Sequence, residues 1–216
     1  MKRERQISES VKLGIILSLS GGLMDAYSYI ERGKVFANAQ TGNMLLLGVN
    51  IAEGQYSLIV HYLFPILAFT LGIALSEWIH MKQTKLHWRQ IAVVMEAVIL
   101  IGVSFIPLNM NLLANSLTSL ACGIQVESFR KIHGNMVATT MCIGNLRSGT
   151  ENMCLFFQTG EVKHLKKVLL YFGIIICFII GAILGNVFIK LWHQKAILCS
   201  SLLLLIAFVM MFFNEE

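Results

Sequence analysis

Residues Gly21 to Gly48 read GGLMDAYSYIERGKVFANAQTGNMLLLG. An acid, Asp25, sits inside an apolar run. A polar cluster then follows (Asn38, Gln40, Thr41, Gly42, Asn43) before the apolar pattern resumes at Met44. Hydrocarbon offers backbone groups no hydrogen-bond partner. A polar break at membrane depth must therefore be covered by protein or face a water-filled cavity. Whether the surrounding chain is membrane-embedded decides how this stretch is read.

The composition answers that. Of 216 residues, 56% are hydrophobic and 13% charged, against about 25% charged in soluble domains. The apolar residues fall in blocks long enough to cross a hydrocarbon core of about 30 Å. The chain is read as an all-α polytopic membrane protein. The net charge of +5 belongs to loop lysines and arginines, and no basic-aromatic groove points to nucleic acid. The five cysteines include no C-x-x-C pair and lie in or beside apolar segments, as small packing residues do. The N-terminal segment begins like a signal peptide but carries no A-x-A-like cleavage site, so it is taken as a retained first span.

Six helical spans are expected, over about 11–30, 57–80, 91–108, 112–131, 165–189 and 196–213. Two shorter apolar segments, 35–52 and 137–158, are broken by polar residues and glycine. They are either re-entrant or discontinuous crossings. The positive-inside rule favours re-entry. It then places Lys2, Arg3, Arg5 and Lys12 in the cytoplasm with Lys82, Lys85, Arg89, Arg130, Lys131, Lys163, Lys166 and Lys167. Arg32, Lys34, Lys190 and Lys195 fall outside. Both termini are expected on the cytoplasmic side of the cell (inner) membrane.

The sequence also matches itself at a shift of 102 residues without a gap. Gly21 falls on Gly123, Asp25 on Glu127, Val35 on Val137, Gly42-Asn43 on Gly144-Asn145, and Asn50 on Asn152. Two halves follow, 1–110 and 111–216, each with three spans and one broken segment, within a single membrane domain. Three spans per half force the second to enter from the opposite side, which is an inverted-topology repeat.

In this reading Val35 to Ala39 is extended, Gly42 breaks the chain, and Thr41 or Asn43 caps a helix from about Met44. Thr139, Thr140, Gly144 and Asn145 build the same device in the second half. Two opposed helix N-termini, each with unpaired N–H groups and about half a positive charge, would meet near the midplane. The expected binding residues are Asn38, Thr41, Gly42, Asn43, Thr139, Thr140, Gly144 and Asn145, for a small anion or polar metabolite. A Gly-Asn break that merely ends a short helix is the plain alternative.

Asp25 lies on a small polar face with Gly14, Ser18, Gly21 and Tyr29. Glu127 shares one with Ser116, Ser119 and Gly123. Intramembrane acids are costly and rare, so both are candidates for proton coupling. Arg147, just past the second Gly-Asn, would strengthen an anion site, or else meet headgroups. Glu96 is expected to snorkel to the interface. Gly181-x-x-x-Gly185 is a helix-packing pattern, and Pro65 is expected to kink its helix.

The first motif resembles the signature of the YoaK-like bacterial integral membrane proteins, a family defined by a domain of unknown function. Gly21, Gly22, Asp25, Ala26, Phe36, Asn38, Thr41, Gly42 and Asn43 carry the likeness. Gly123, Gln125, Arg130, Thr139, Thr140, Gly144 and Leu146 resemble the second signature. Ile143 departs from it, since the family often has Thr before that glycine. The resemblance implies a fold and names no substrate. The pair of breaks is similar, more distantly, to substrate-site elements of sulfate, bicarbonate and uracil transporters.

A transporter-like protein is therefore expected, with a non-transporting membrane module (channel-like, lipid- or partner-binding) as the alternative. No H-E-x-x-H, G-x-S-x-G or metal-ligand pattern points to an enzyme, a metal or a cofactor. A chain this small has little mass to hold a moving bundle, so a homodimer is expected.

Overall fold

A computed structural model describes residues 9–82 and 88–212. The predicted positions of Lys2, Arg3, Arg5 and Lys85, and the end of the last span at 213, lie outside the described residues. Eight helices account for most of the chain: α1 (Val11–Glu31), α2 (Gln40–Ala52), α3 (Tyr56–Lys82), α4 (Trp88–Val103), α5 (Asn111–Ser128), α6 (Ile143–Thr159), α7 (Val162–Trp192) and α8 (Ile197–Met210). A two-stranded hairpin, β1 (Lys131–Ile132) and β2 (Asn135–Met136), joins α5 to the second broken segment.

Among the described residues, Val11–Glu31, Tyr56–Lys82 and the stretch Val162–Met210 are long and apolar enough to cross a membrane. The last contains α7 and α8, parted by a 3-10 turn at His193–Ala196. Several boundaries differ from expectation. α4 stops at Val103, well short of 108, where Pro107 opens a 3-10 turn. α5 stops at Ser128, because residues 131–136 form the hairpin instead of finishing a helix. Pro65 is accommodated inside a helix assigned continuously from Tyr56 to Lys82.

The helix pairs contact through glycine. A Cβ on Gly22 would lie 2.0 Å from the Phe178 carbonyl oxygen, and one on Gly181 would lie 2.1 Å from that of Leu19. These contacts lock α1 onto α7. Gly72 and Gly123 do the same for α3 and α5, with virtual Cβ positions 2.2 Å from the Leu120 and Phe69 carbonyl oxygens. Without a hydrophobic drive between helices in lipid, close backbone approach is what gains dispersion energy.

The principal pairings are α1 with α7, α3 with α5, α1 with α8, α4 with α5, α2 with α3, α6 with α7, and α4 with α8. Exchanging α1 with α5, α2 with α6, α3 with α7 and α4 with α8 maps this set onto itself. The first helix of each stretch thus packs on the third helix of the other, so the two stretches are interlocked.

Two charged residues lie deeper than expected. Arg32 is fully buried at the end of α1. Its Nη2 donates to the Val103 and Ile106 carbonyls at 3.2 and 2.8 Å, its Nη1 to the Pro107 carbonyl at 3.2 Å, and its Nε to the Tyr27 hydroxyl at 2.8 Å. It thereby caps the C-terminal end of α4, where carbonyls lack helical partners and the dipole favours a cation. Glu96 does not snorkel. It is fully buried on α4, and neither carboxyl oxygen has a hydrogen-bond partner among the described residues.

Candidate functional site

The two broken segments come together on α1. Gly21 is their meeting point. Its carbonyl accepts from Asn38 Nδ2 at 2.9 Å. On the same residue, a Cβ would lie 3.0 Å from the Thr139 carbonyl oxygen and 3.3 Å from Thr140 Cα. Only glycine leaves room for both segments at this height of the helix.

One turn further along α1, Asp25 Oδ1 accepts the Asn38 N–H at 2.7 Å. The neighbouring Ala37 N–H donates instead to the Ser28 hydroxyl oxygen at 3.0 Å. Asn38, expected to bind a ligand, thus gives its backbone N–H to a carboxylate of the protein itself.

The helices begin earlier than predicted. α2 starts at Gln40 with Ala39 as N-cap, and α6 at Ile143 with Cys142 as N-cap. Neither cap residue makes a side-chain capping bond. Thr41 and Asn43 are therefore inside the first turn of α2 and do not cap it.

Asn43 instead closes the loop before it. Its Oδ1 accepts the Phe36 N–H at 3.0 Å, and its Nδ2 donates to the Phe36 carbonyl at 2.7 Å. Asn145 does the same to Ala138, at 3.1 and 2.6 Å. Gly42 carries the face on which the Phe36 ring packs, and Gly144 is open.

A cavity of about 640 Å³ lies between these elements, within the range of about 300–1,000 Å³ typical of small-molecule sites. Asp25, Asn38, Gln40 and Thr41 contribute from the first break, and Thr140, Met141, Cys142 and Ile143 from the second. Tyr29, Phe36, Phe69 and Phe178 supply aromatic walls. Tyr29 and Phe36 are stacked with centroids 5.0 Å apart. Lys34 Nζ sits 4.5 Å from the Tyr29 centroid, outside the lining set.

Of the residues singled out in the sequence, Asp25, Asn38, Thr41 and Thr140 line this cavity. Asn43, Asn145, Gly42, Gly144 and Thr139 are not among its lining residues; the Thr139 hydroxyl accepts from Gln125 Nε2 at 3.0 Å. Glu127 lies elsewhere, paired with Arg130 at 2.9 Å. Arg147 is exposed on α6. The repeat equivalence of Asp25 and Glu127 therefore does not extend to their surroundings. On α5 it is Gln125 that reaches the second break.

Sequence reasoning gave no binding role to Gln40, Tyr29 or Phe36, which it had noted, and passed over Cys142, Phe69 and Phe178. Gln40 carried a readable signal, as a polar residue in the same cluster. Phe69 and Phe178 carried none, being apolar residues in apolar helices. Among the described residues no group of three or more His, Cys, Asp or Glu could hold a metal ion.

Three apolar stretches of spanning length among the described residues, in a chain built of helices, define an α-helical membrane protein. The family described as Protein of unknown function (DUF1275) matches residues 13–210, and the chain belongs to it. It is similar to the UPF0700 transmembrane protein YoaK of Bacillus subtilis (strain 168). The two are 26% identical over 181 residues, covering 78% of this chain and 79% of that protein. No solved structure matches.

Proposed function

We propose that the chain is a transporter-like membrane protein that binds a small polar metabolite in the cavity between its two broken segments. One observation carries this reading. Two segments about a hundred residues apart, each a polar break before a helix, close on a single cavity with an acid in its wall. Secondary transporters place their substrate sites between such discontinuous helices of paired repeats.

The rest of the reading follows from the same premise. The halves are inverted copies, crossing as six spans with the breaks re-entrant and both termini cytoplasmic. The identical Asn43 and Asn145 clamps, 102 residues apart, support duplication, as does the exchangeable pattern of helix contacts. Asp25 is the residue proposed to couple substrate to protons, because it is the acidic residue in the cavity wall.

Cys142 lines the cavity and gives a native handle for the test. A variant keeping only this cysteine is reconstituted into vesicles and labelled with a membrane-impermeant thiol reagent added to one side at a time. Alternating access predicts labelling from both sides. Labelling confined to one side would replace the transporter reading with a non-transporting module.

A further inference from the structure

We infer that the cavity takes an organic cation: a primary ammonium group held at Asp25, on an apolar body lying against the aromatic walls. The inference rests on the reading of the cavity as a ligand site and names the class of ligand.

Four features point the same way. The first is charge. Asp25 is the one carboxylate in the lining set, and no Lys, Arg or His belongs to that set. An incoming anion would meet Asp25 in a medium of low dielectric, where like charges repel strongly. The Asn38 N–H in this wall already donates to the Asp25 carboxyl at 2.7 Å.

The second feature is hydrogen-bonding capacity. Asn38 and Thr140 stand in the cavity wall at 0% and 2% exposure. Asn38 Oδ1 and Thr140 Oγ1 have no hydrogen-bond partner among the described residues. Most buried polar atoms in folded proteins are paired, so two orphans in one wall need an explanation. Asn38 spends its amide donor on Gly21. Both orphan atoms can accept a hydrogen bond, and an ammonium group brings three donors.

The third is the nature of the walls. Tyr29, Phe36, Phe69 and Phe178 present ring surfaces from α1, the first break, α3 and α7. Ring faces attract cations within about 6 Å, more strongly when water is excluded. The protein already uses this contact beside the cavity, where the Lys34 ammonium lies over Tyr29.

The fourth is size. A cavity of about 640 Å³ is too large for a bare inorganic cation and suits a molecule with an apolar body. Met44, Met141 and Ile143 add aliphatic lining against which such a body can pack.

Three matched probes test the class: phenethylamine, 2-phenylethanol and 3-phenylpropanoate near neutral pH, being cation, neutral and anion on similar bodies. The readout is protection of Cys142 from alkylation, with affinity followed by calorimetry on the full chain in detergent. The amine is expected to protect and the other two are not. Asp25→Asn keeps an oxygen to accept the Asn38 N–H, so the break stays in place. It is expected to weaken amine binding about tenfold or more, as loss of one partner of a desolvated charge pair does. Phe36→Ala is expected to weaken the amine while leaving Asp25 intact. Equal or better protection by the alcohol or the carboxylate would overturn the cation and leave a ligand site standing. Failure of all three probes to protect the wild-type chain would overturn the cation as well. The two-sided labelling of Cys142 without any ligand then decides the transporter reading separately.

Discussion

Asn43 and Asn145 make the same pair of hydrogen bonds to residues seven positions earlier, Phe36 and Ala138, and the two clamps stand 102 residues apart. Each amide gives its oxygen to a backbone N–H and its nitrogen to the carbonyl of the same residue. An asparagine is suited to this because one short side chain holds both a donor and an acceptor. The clamp folds the break back on the first turn of the following helix, which holds the cavity wall in shape.

The clamps set a first prediction. Asn43→Ala and Asn145→Ala each leave a backbone donor and acceptor unpaired, at an expected cost of about 1–3 kcal/mol. Asn43→Asp and Asn145→Asp keep the acceptor, lose the donor and add a charge, and should not rescue. Asn50→Ala is the control. Its amide bonds only to the Leu46 carbonyl in its own helix, at 2.6 Å, so its change should be small. The measurement is thermal unfolding in detergent, read from the reaction of a fluorogenic thiol dye with the buried Cys122 in chains whose other four cysteines are replaced. Equal losses for Asn50→Ala and Asn43→Ala would remove the clamp as the cause.

Glycine contacts set a second. Gly22→Ala and Gly181→Ala must drive α1 away from α7, because the neighbouring atoms are backbone oxygens at 2.0 and 2.1 Å that cannot turn aside. Each is expected to cost about 1–3 kcal/mol through overpacking. Gly48→Ala, with nothing within 4 Å of its Cβ position, should instead stabilise α2 by up to about 1 kcal/mol. The same dye assay orders the three variants. A neutral Gly22→Ala would mean that α1 and α7 do not touch as described.

Arg32 sets a third. Its guanidinium serves carbonyls of three residues and the Tyr27 hydroxyl at once. A lysine has donors but not the planar fork, so Arg32→Lys should fail to restore what Arg32→Ala loses. Both are expected to fall by about 3 kcal/mol or more, since buried acceptors are left bare. Recovery of wild-type unfolding temperature by Arg32→Lys would show that charge alone suffices at the end of α4.

Much of the cavity was legible in the sequence because polarity stands out against an apolar background. Asp25, Asn38, Thr41 and Thr140 were visible for that reason, and the shift of 102 residues paired Asn38 with Thr140. The direction of each side chain was not visible. Asn43 and Asn145 are as polar as Asn38, yet they turn into their own loops, a choice made by backbone geometry within seven residues. The role of Arg32 was hidden for a different reason. The carbonyls it caps lie 71 to 75 residues away and belong to the main chain, which every residue carries. Glu96 was misplaced because its distance from the start of α4 was the guide, whereas the face of the helix determines its burial.

Glu96 sets the last prediction. A buried carboxyl without a hydrogen bond costs free energy whether or not it holds its proton, on the order of 1–3 kcal/mol by protein mutational scales. Methionine has a similar reach and no polar atoms to satisfy. Glu96→Met is therefore expected to raise thermal stability by about that amount, as replacing other buried unpaired groups with apolar ones does. Glu96→Gln keeps polar atoms in the same place and should gain little. Phenethylamine binding should survive Glu96→Met, because Glu96 is not among the residues lining the cavity. A fall in stability for Glu96→Met would reveal a partner for the carboxyl. Loss of binding with stability intact would instead tie Glu96 to the cavity.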